Sequence, residues 1–322
     1  MTHHRTLLIA ALLALGSSTA LAQAWPAKPI RLVIGFAPGG AADYVARTIA
    51  DPLARVLGQT VTVENRAGAG SSLAADFVAK APADGYTLLI ASPSSISVNP
   101  ALNPKLTYSA KDLVPVTRVT ASPLVVAVNP AAGINSFQDL MALAKAKPGF
   151  LNYTSSGNGS APHLGAAHFS KVAGVDMVHI PYKGGAPAIQ AVIAGDAQLT
   201  FGTPPSVLPM VQAGRLKALA VTSLTRTPLV PDVPAAAESG LPGYSMSFWY
   251  GFFVPVGTPP DVTKKLFDAT AQVMQRPEVK AALAREGTEV AMSRSPEDFA
   301  AFLIDDNRFW AKLVKDAGVK LD

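Results

Sequence analysis

Ile30-Arg31-Leu32-Val33-Ile34-Gly35-Phe36-Ala37-Pro38-Gly39-Gly40-Ala41 reads as an aliphatic strand that runs into a glycine-rich loop without a cation and then opens into a helix. The same device returns as Leu151-Asn152-Tyr153-Thr154, the loop Ser155-Ser156-Gly157-Asn158-Gly159-Ser160, and a helix from Ala161. A third copy is Val178-His179-Ile180, then Pro181-Tyr182-Lys183-Gly184-Gly185, with a helix from Ala186. A helix start leaves four N–H groups without partners and carries about half a positive charge, so each loop is a place for an anion. Two such loops far apart in the chain suggest one anion held from two sides.

Working outward, strands and helices alternate. Val61 to Glu64 and Thr87 to Ala91 are short β-branched or aliphatic runs, with helical spacing from Leu73 to Ala81 between them. A second set has strands at 124–128, 151–154, 177–180, 198–201 and 216–221, and helices near 136–147, 161–173, 186–194 and 205–213. This is the βαβ rhythm of parallel sheets covered by helices, so the fold class is α/β. From Thr227 to Pro260 the prolines at Pro228, Pro231, Pro234, Pro242, Pro255, Pro259 and Pro260 predict an ordered crossing, with Tyr244 to Val254 as an extended strand returning to the first half. The tail is helical over 259–275, 277–285 and from Pro296 to about Lys315, where Ser295 is placed as N-cap. Pro52 inside the first helix predicts a kink or break.

Gross numbers narrow the class. Arg5, the apolar run Leu7 to Leu15 and Ala20-Leu21-Ala22 read as a secretory signal cleaved after Ala22, which places the product in the periplasm. Removal of these 22 residues from 322 leaves 300, enough for two domains, and lowers the formal charge from +5 to +4 with Arg5. The absence of cysteine excludes disulfides, thiolate metal sites and cysteine nucleophiles. Basic residues are scattered, with Lys264-Lys265 the one adjacent pair, so nucleic acid is not an expected partner. No cofactor or metal is expected: Gly157-Asn158-Gly159 lacks the third glycine of a dinucleotide fingerprint, and His163 and His168 are five apart rather than four.

The loop residues carry competing readings. Pro38-Gly39-Gly40 allows close approach of a ligand to backbone, but glycine loops after strands are common in α/β folds. Asp43 either complements the helix dipole or meets an amine on the solute. Ser155, Ser156 and Ser160 add hydroxyl donors, Ser160 also as a helix cap, while His163 is either a capped histidine or a neutral donor to a carboxylate. Lys183 is either solvated or a point charge for the solute, and the amides of 184–186 complete a carboxylate site. An exported hydrolase would use Ser156 or Ser160 with His163, yet no orienting acid lies nearby and no nucleophile elbow or HExxH motif is present, so the chain is read as a non-enzyme.

These segments together resemble the Bug family, the extracytoplasmic solute receptors of tripartite tricarboxylate transporters. The resemblance rests on Phe36-Ala37-Pro38-Gly39-Gly40 with Asp43, on Val63 to Gly70, and on Pro82-Ala83-Asp84-Gly85-Tyr86-Thr87-Leu88-Leu89. It continues through Ser156-Gly157-Asn158-Gly159-Ser160 with His163 and Leu164, Pro181 to Gly185, Ala213 to Ala220, Trp249 to Gly251 and Gly257-Thr258-Pro259. It implies a two-domain periplasmic binding protein of type II, a Venus flytrap with two crossing strands as hinge: signal 1–22, first domain 23–124 and 247–322, second domain 125–246.

By the same resemblance, Phe36, Pro38, Gly39, Gly40 and Ala41 clasp one carboxylate with Ser155, Ser156, Gly157, Gly159 and Ser160, largely through backbone amides and water. Ser92, His163, Lys183, Gly184, Ala186, Phe201 and Thr203 line the remainder. Relatives often carry an acidic or amide residue after the phenylalanine. Gly202-Thr203 therefore implies a roomier, less acidic distal pocket, suited to a dicarboxylate or aromatic carboxylate. The implied partners are the solute and the membrane subunits of a transporter, or alternatively a sensor kinase, with the receptor a monomer.

Overall fold

The structure is a computed structural model and describes residues 25–319; the expected signal and its cleavage site lie outside the described residues. Two sheets organise the chain. The first has the order β11-β4-β10-β3-β1-β2 and the second β7-β6-β8-β5-β9. The first comprises β1 (Ile30–Ile34), β2 (Val61–Asn65), β3 (Thr87–Ala91), β4 (Leu113–Pro123), β10 (Ser247–Pro255) and the short β11 (Glu289–Val290). The second comprises β5 (Val125–Val128), β6 (Asn152–Ser155), β7 (Val178–Pro181), β8 (Leu199–Gly202) and β9 (Lys217–Val221).

Both lobes use one plan. β1 pairs in parallel with β2 and β3, and β6 in parallel with β7 and β8. The next position in each sheet is taken by an antiparallel strand that has just arrived from the other lobe: β10 beside β3, and β5 beside β8. β4 runs into β5 through the single residue Leu124. Thr222 ties this crossing to the return: its N–H donates to Leu124 O at 2.9 Å, its Oγ1 accepts Leu124 N–H at 2.8 Å and donates to Met246 O at 2.6 Å, and its O accepts Met246 N–H at 2.7 Å.

Helices cover the sheets where apolar spacing predicts them. They are α1 (Ala41–Leu57), α2 (Ser72–Ala79), α3 (Phe137–Ala146), α4 (Ala161–Ala173), α5 (Gly185–Ala194), α6 (Pro204–Gln212), α7 (Pro260–Met274), α8 (Pro277–Arg285) and α9 (Pro296–Ala317). Ser295 caps α9 by accepting Asp298 N–H at 3.1 Å. Phe299 packs edge-on to Trp249, and α9 reaches both β4 and α4, so one helix braces the two lobes.

Two expectations need correction. α1 runs through Pro52 without a break, because the residues around the proline, Ile49, Ala50, Pro52 and Leu53, are buried and their packing outweighs the lost hydrogen bond. β4 was not expected at all. Its Pro115 and interspersed polar residues hide it in the sequence, and pairing with β10 and β11 makes it a strand.

Gly35, at the end of β1, has no room for a side chain: a Cβ there would lie 1.9 Å from Ser71 Oγ and 2.6 Å from Ser71 Cα. Gly35→Ala must shift backbone in a buried site and is expected to destabilise by about 2–3 kcal/mol, roughly 5 °C in melting temperature by calorimetry. An unchanged melting temperature would show that the turn yields freely.

Candidate functional site

The strand ends of both sheets deliver their loops to one cleft. Loop 35–40 leads from β1 to α1, and its N-cap is Gly40. Asp43, in the first turn, accepts Gly39 N–H at 3.0 Å, Arg47 Nε at 2.9 Å and Asn65 Nδ2 at 3.0 Å. Burial raises its pKa, but the donors Arg47, Gly39 and Asn65 and the charge of Arg47 outweigh that and hold it below the ordinary carboxylate value. Asp43 therefore braces the loop. The N–H groups of Gly40, Ala41 and Ala42, at the helix start, have no partner in the first turn.

In loop 155–160 much of the donor capacity is spent locally. Gly157 N–H goes to Ser155 Oγ, Ser160 N–H to Gly157 O, Gly159 N–H to His163 Nδ1 at 3.1 Å, and His163 N–H to Ser160 Oγ at 3.4 Å. Ser156, Asn158 and Ala161 keep their N–H groups. His163 is buried and stacks on His179 with ring centroids 3.8 Å apart and planes 5° apart; Tyr153 stacks on the other ring at 5.0 Å. Burial first, then the neighbouring His179, pushes the His163 pKa down to about 3. The imidazole is neutral with Nδ1 as acceptor, which leaves the proton on Nε2.

Neither serine of the hydrolase reading forms a dyad with His163. Ser160 Oγ is a helix cap, and Ser156 has no bond to it. The close Ser–His pair is instead Ser155 Oγ and His179 Nε2 at 2.6 Å, but Ser155 is fully buried and its oxygen also bonds both polar atoms of Gly157. A nucleophile must reach its substrate, and this one faces its own loop.

The lobes meet through specific loop pairs. Ala37 N–H donates to Lys183 O at 3.0 Å, and a Cβ on Gly40 would lie 3.4 Å from Gly185 N and 3.8 Å from Ala186 N. The starts of α1 and α5, from different lobes, thus adjoin. Loop 155–160 meets a different part of the first lobe: a Cβ on Gly157 would be 3.7 Å from Gly70 Cα, and one on Gly159 would be 2.3 Å from Asn99 Oδ1. A cavity of about 210 Å³ is lined jointly by Gly35, Gly70, Ser156, Gly157, Tyr182 and Lys183, among others. A larger cavity, about 680 Å³, lies behind the loop between α3, α4 and the end of α9 and shares His163 with the site. The loop amides do not line it, so it is not the candidate.

The remaining expected residues fall unevenly. Pro38 and Gly39 lie at the exposed rim, and Ala186 sits beside Gly39. Ser92 is buried with no partner for its hydroxyl. Lys183 exposes its side chain and contributes its carbonyl to the lobe contact. Phe36 is buried and its carbonyl accepts Asn65 Nδ2. Phe201 is a core residue against Phe169, and Thr203 donates to Ser206 Oγ at 3.1 Å. Gly202 does not widen a pocket, because a Cβ there would meet Val207 Cγ2 at 2.4 Å. Asn65, Gly70, Ser71, Asn99 and His179 were not expected at the site. For Gly70 and Ser71 the small-residue run 68–72 was a visible signal of a special turn; Asn99 before Pro100 reads as an ordinary turn residue.

A two-lobed α/β chain whose glycine-rich helix starts converge on a cleft defines the class of periplasmic binding proteins, and solved structures of that class superpose on it. Periplasmic binding protein BugD is 32% identical, covers 92% of this chain and 99% of its own, and gives a TM-score of 0.87. Rpa4515 of R. palustris, solved with adipate, is 33% identical over 92% of this chain and 99% of its own, with a TM-score of 0.88. MatC (Rpa3494) of Rhodopseudomonas palustris, with bound malate, is 30% identical over 90% of this chain and 100% of its own, with a TM-score of 0.85. The chain belongs to the tripartite tricarboxylate transporter family receptors, whose family model matches residues 45–319.

Proposed function

We propose that the protein is a periplasmic receptor that captures a small organic carboxylate and presents it to the membrane subunits of a tripartite tricarboxylate transporter, without making or breaking a bond. The observation that carries this reading is the convergence of the α1 and α5 starts across the cleft, with Gly40 against Gly185. Two adjoining helix starts offer unpaired N–H groups and partial positive charge to a negative group without a cationic side chain, and bringing them together requires the lobes to meet. Binding energy then favours the closed form, provided the solute touches both lobes. The division at 124/125 and 246/247 follows the two crossings stapled by Thr222. The Ser155 hydroxyl of the buried Ser155–His179 pair is bonded to Gly157 and closed off from solvent, which favours a receptor over a hydrolase.

For the solute we favour a dicarboxylate or an aromatic carboxylate. Asp43, the carboxylate nearest the first loop, has its oxygens occupied by Gly39, Arg47 and Asn65 and is not free to receive an ammonium group. Relatives solved with adipate and malate agree with a diacid. Calorimetric titration against adipate, malate, citrate, terephthalate, aspartate and glutamate is the test. Binding of a diacid or aromatic acid is the expected result; binding of an amino acid alone would reject the solute class, and no binding by any acid would count against the receptor reading itself.

A further inference from the structure

We propose that Asn99 is a positioning residue for lobe closure: it holds the turn 68–72 in the left-handed form that lets Gly70 seat against the loop 155–160 of the opposite lobe. The inference rests on the receptor reading of the cleft and adds to it a residue and a turn outside the anion loops.

Four consecutive residues have positive φ: Gly68 at 141°, Ala69 at 45°, Gly70 at 57° and Ser71 at 76°. Glycine tolerates this region, whereas alanine and serine are strained in it, and such strain persists only where the surroundings over-determine the backbone. Asn99 supplies that determination. Its Nδ2 lies 3.2 Å from Ala69 O, 2.9 Å from Gly70 O and 2.8 Å from Ser72 Oγ, so two hydrogens serve three acceptors on the turn. Asn99 is itself buried, at the end of the π-helical turn Ser94–Val98 that descends from Ser92.

The held turn points both ways. Ser71 abuts Gly35 beneath the first anion loop, and Gly70 faces the second lobe so closely that a Cβ on it would lie 2.3 Å from Asn158 O. The Asn99 amide oxygen has no hydrogen-bond partner and rests against Gly159. Because all three Nδ2 contacts lie within the first lobe, the turn keeps its shape when the lobes separate, and closure need not reorder it. Preorganisation of this kind raises apparent affinity by raising the population of the binding-competent form.

The test compares hydrogen exchange in wild type, Asn99→Ala and Gly70→Ala, without added solute. Asn99→Ala is expected to accelerate exchange about tenfold both at 68–72 and across the cleft at 155–160, with α1 unchanged. Acceleration confined to 68–72 would overturn the proposal, since a purely local structural role gives that result. If Asn99→Ala does not fold, Gly70→Ala decides: a Cβ there would meet Asn158 O at 2.3 Å and Asn99 Nδ2 at 3.0 Å, so it presses on the turn and blocks the seat together, and it must accelerate 155–160 as well as 68–72; acceleration of 68–72 alone would again overturn the proposal. Affinity for adipate and malate, where wild type binds them, is expected to fall about tenfold in both variants. Failure of wild type to bind any acid would defeat the receptor reading and leave the exchange result to judge the latch.

Discussion

Between pH 6 and pH 4.5 the unfolding free energy of Asp306→Asn is expected to fall about 2 kcal/mol relative to the wild-type protein, and that of His163→Asn to rise about 2 kcal/mol relative to it. Two buried groups of opposite sign produce this. Burial and His179 push the His163 pKa to about 3, so below pH 6.5 the unfolded chain binds a proton that the folded chain refuses, and stability falls with pH. Asp306 on α9 behaves in reverse. Burial raises its pKa to about 6, against the lowering pull of the Trp249 indole, Trp310 Nε1 at 3.1 Å, Ser97 Oγ at 3.4 Å and the charge of Arg118. The folded chain therefore takes up that proton first, and the stability it brings is full below the unfolded value of 3.8 and lost as pH rises through about 6. Across 1.5 pH units each group contributes about 2 kcal/mol, with opposite signs, and His168, whose pKa burial also lowers, adds to the His163 side in all three proteins. Asparagine keeps an acceptor for Gly159 N–H at 163 and for Trp310 at 306, so each variant removes one titration with little change of shape. Urea unfolding at the two pH values reads the effect; equal slopes in all three proteins would contradict the assignment.

Gly184→Ala is expected to lower affinity for the solute about 10–100-fold, equivalent to about 1.4–2.7 kcal/mol, together with a melting temperature lowered by the backbone strain of alanine at this φ. Gly184 has φ +154°, and a Cβ on it would lie 2.9 Å from Ala37 N and 3.0 Å from Ala37 Cβ. The methyl group would push loop 36–40 from the second lobe and break the bond from Ala37 N–H to Lys183 O. Each lobe keeps its own core, so the variant folds and the lost lobe contact appears as a defect in closure beyond the backbone strain. Gly214→Ala is the control: Gly214 has φ +68° but nothing within 4 Å of its Cβ position, so it introduces backbone strain without a lobe contact. Calorimetry with adipate or malate compares them, and equal affinities for both variants would show that the Ala37–Lys183 contact does not govern binding.

The loops and helix starts were readable in the chain; their neighbours in the fold were not. Glycine clusters after aliphatic strands marked all three helix starts, and Ser160 and Ser295 act as the caps that their positions imply. The partners of those loops were less accessible. The first loop was expected to share an anion with 155–160, but the residues it touches are 183–186, while 155–160 meets Gly70 and Asn99. Phe201 looked like a pocket residue and packs in the core against Phe169; Gly202 looked like added space and is closed by Val207.

The chain by itself determined the α/β alternation, the two-lobed division and the cation-free glycine loops at the helix starts, because these follow from side-chain period, helix capping and the backbone freedom of glycine, all of which act over a few residues. Tertiary structure alone decided that β4 exists, which loops face one another across the cleft, that Asp43 is consumed as a brace, and that Asn99 bonds to a strained turn beside both glycine-rich loops. Those outcomes depend on which strand crosses beside which and on contacts between residues distant in the chain, and no local pattern encodes them.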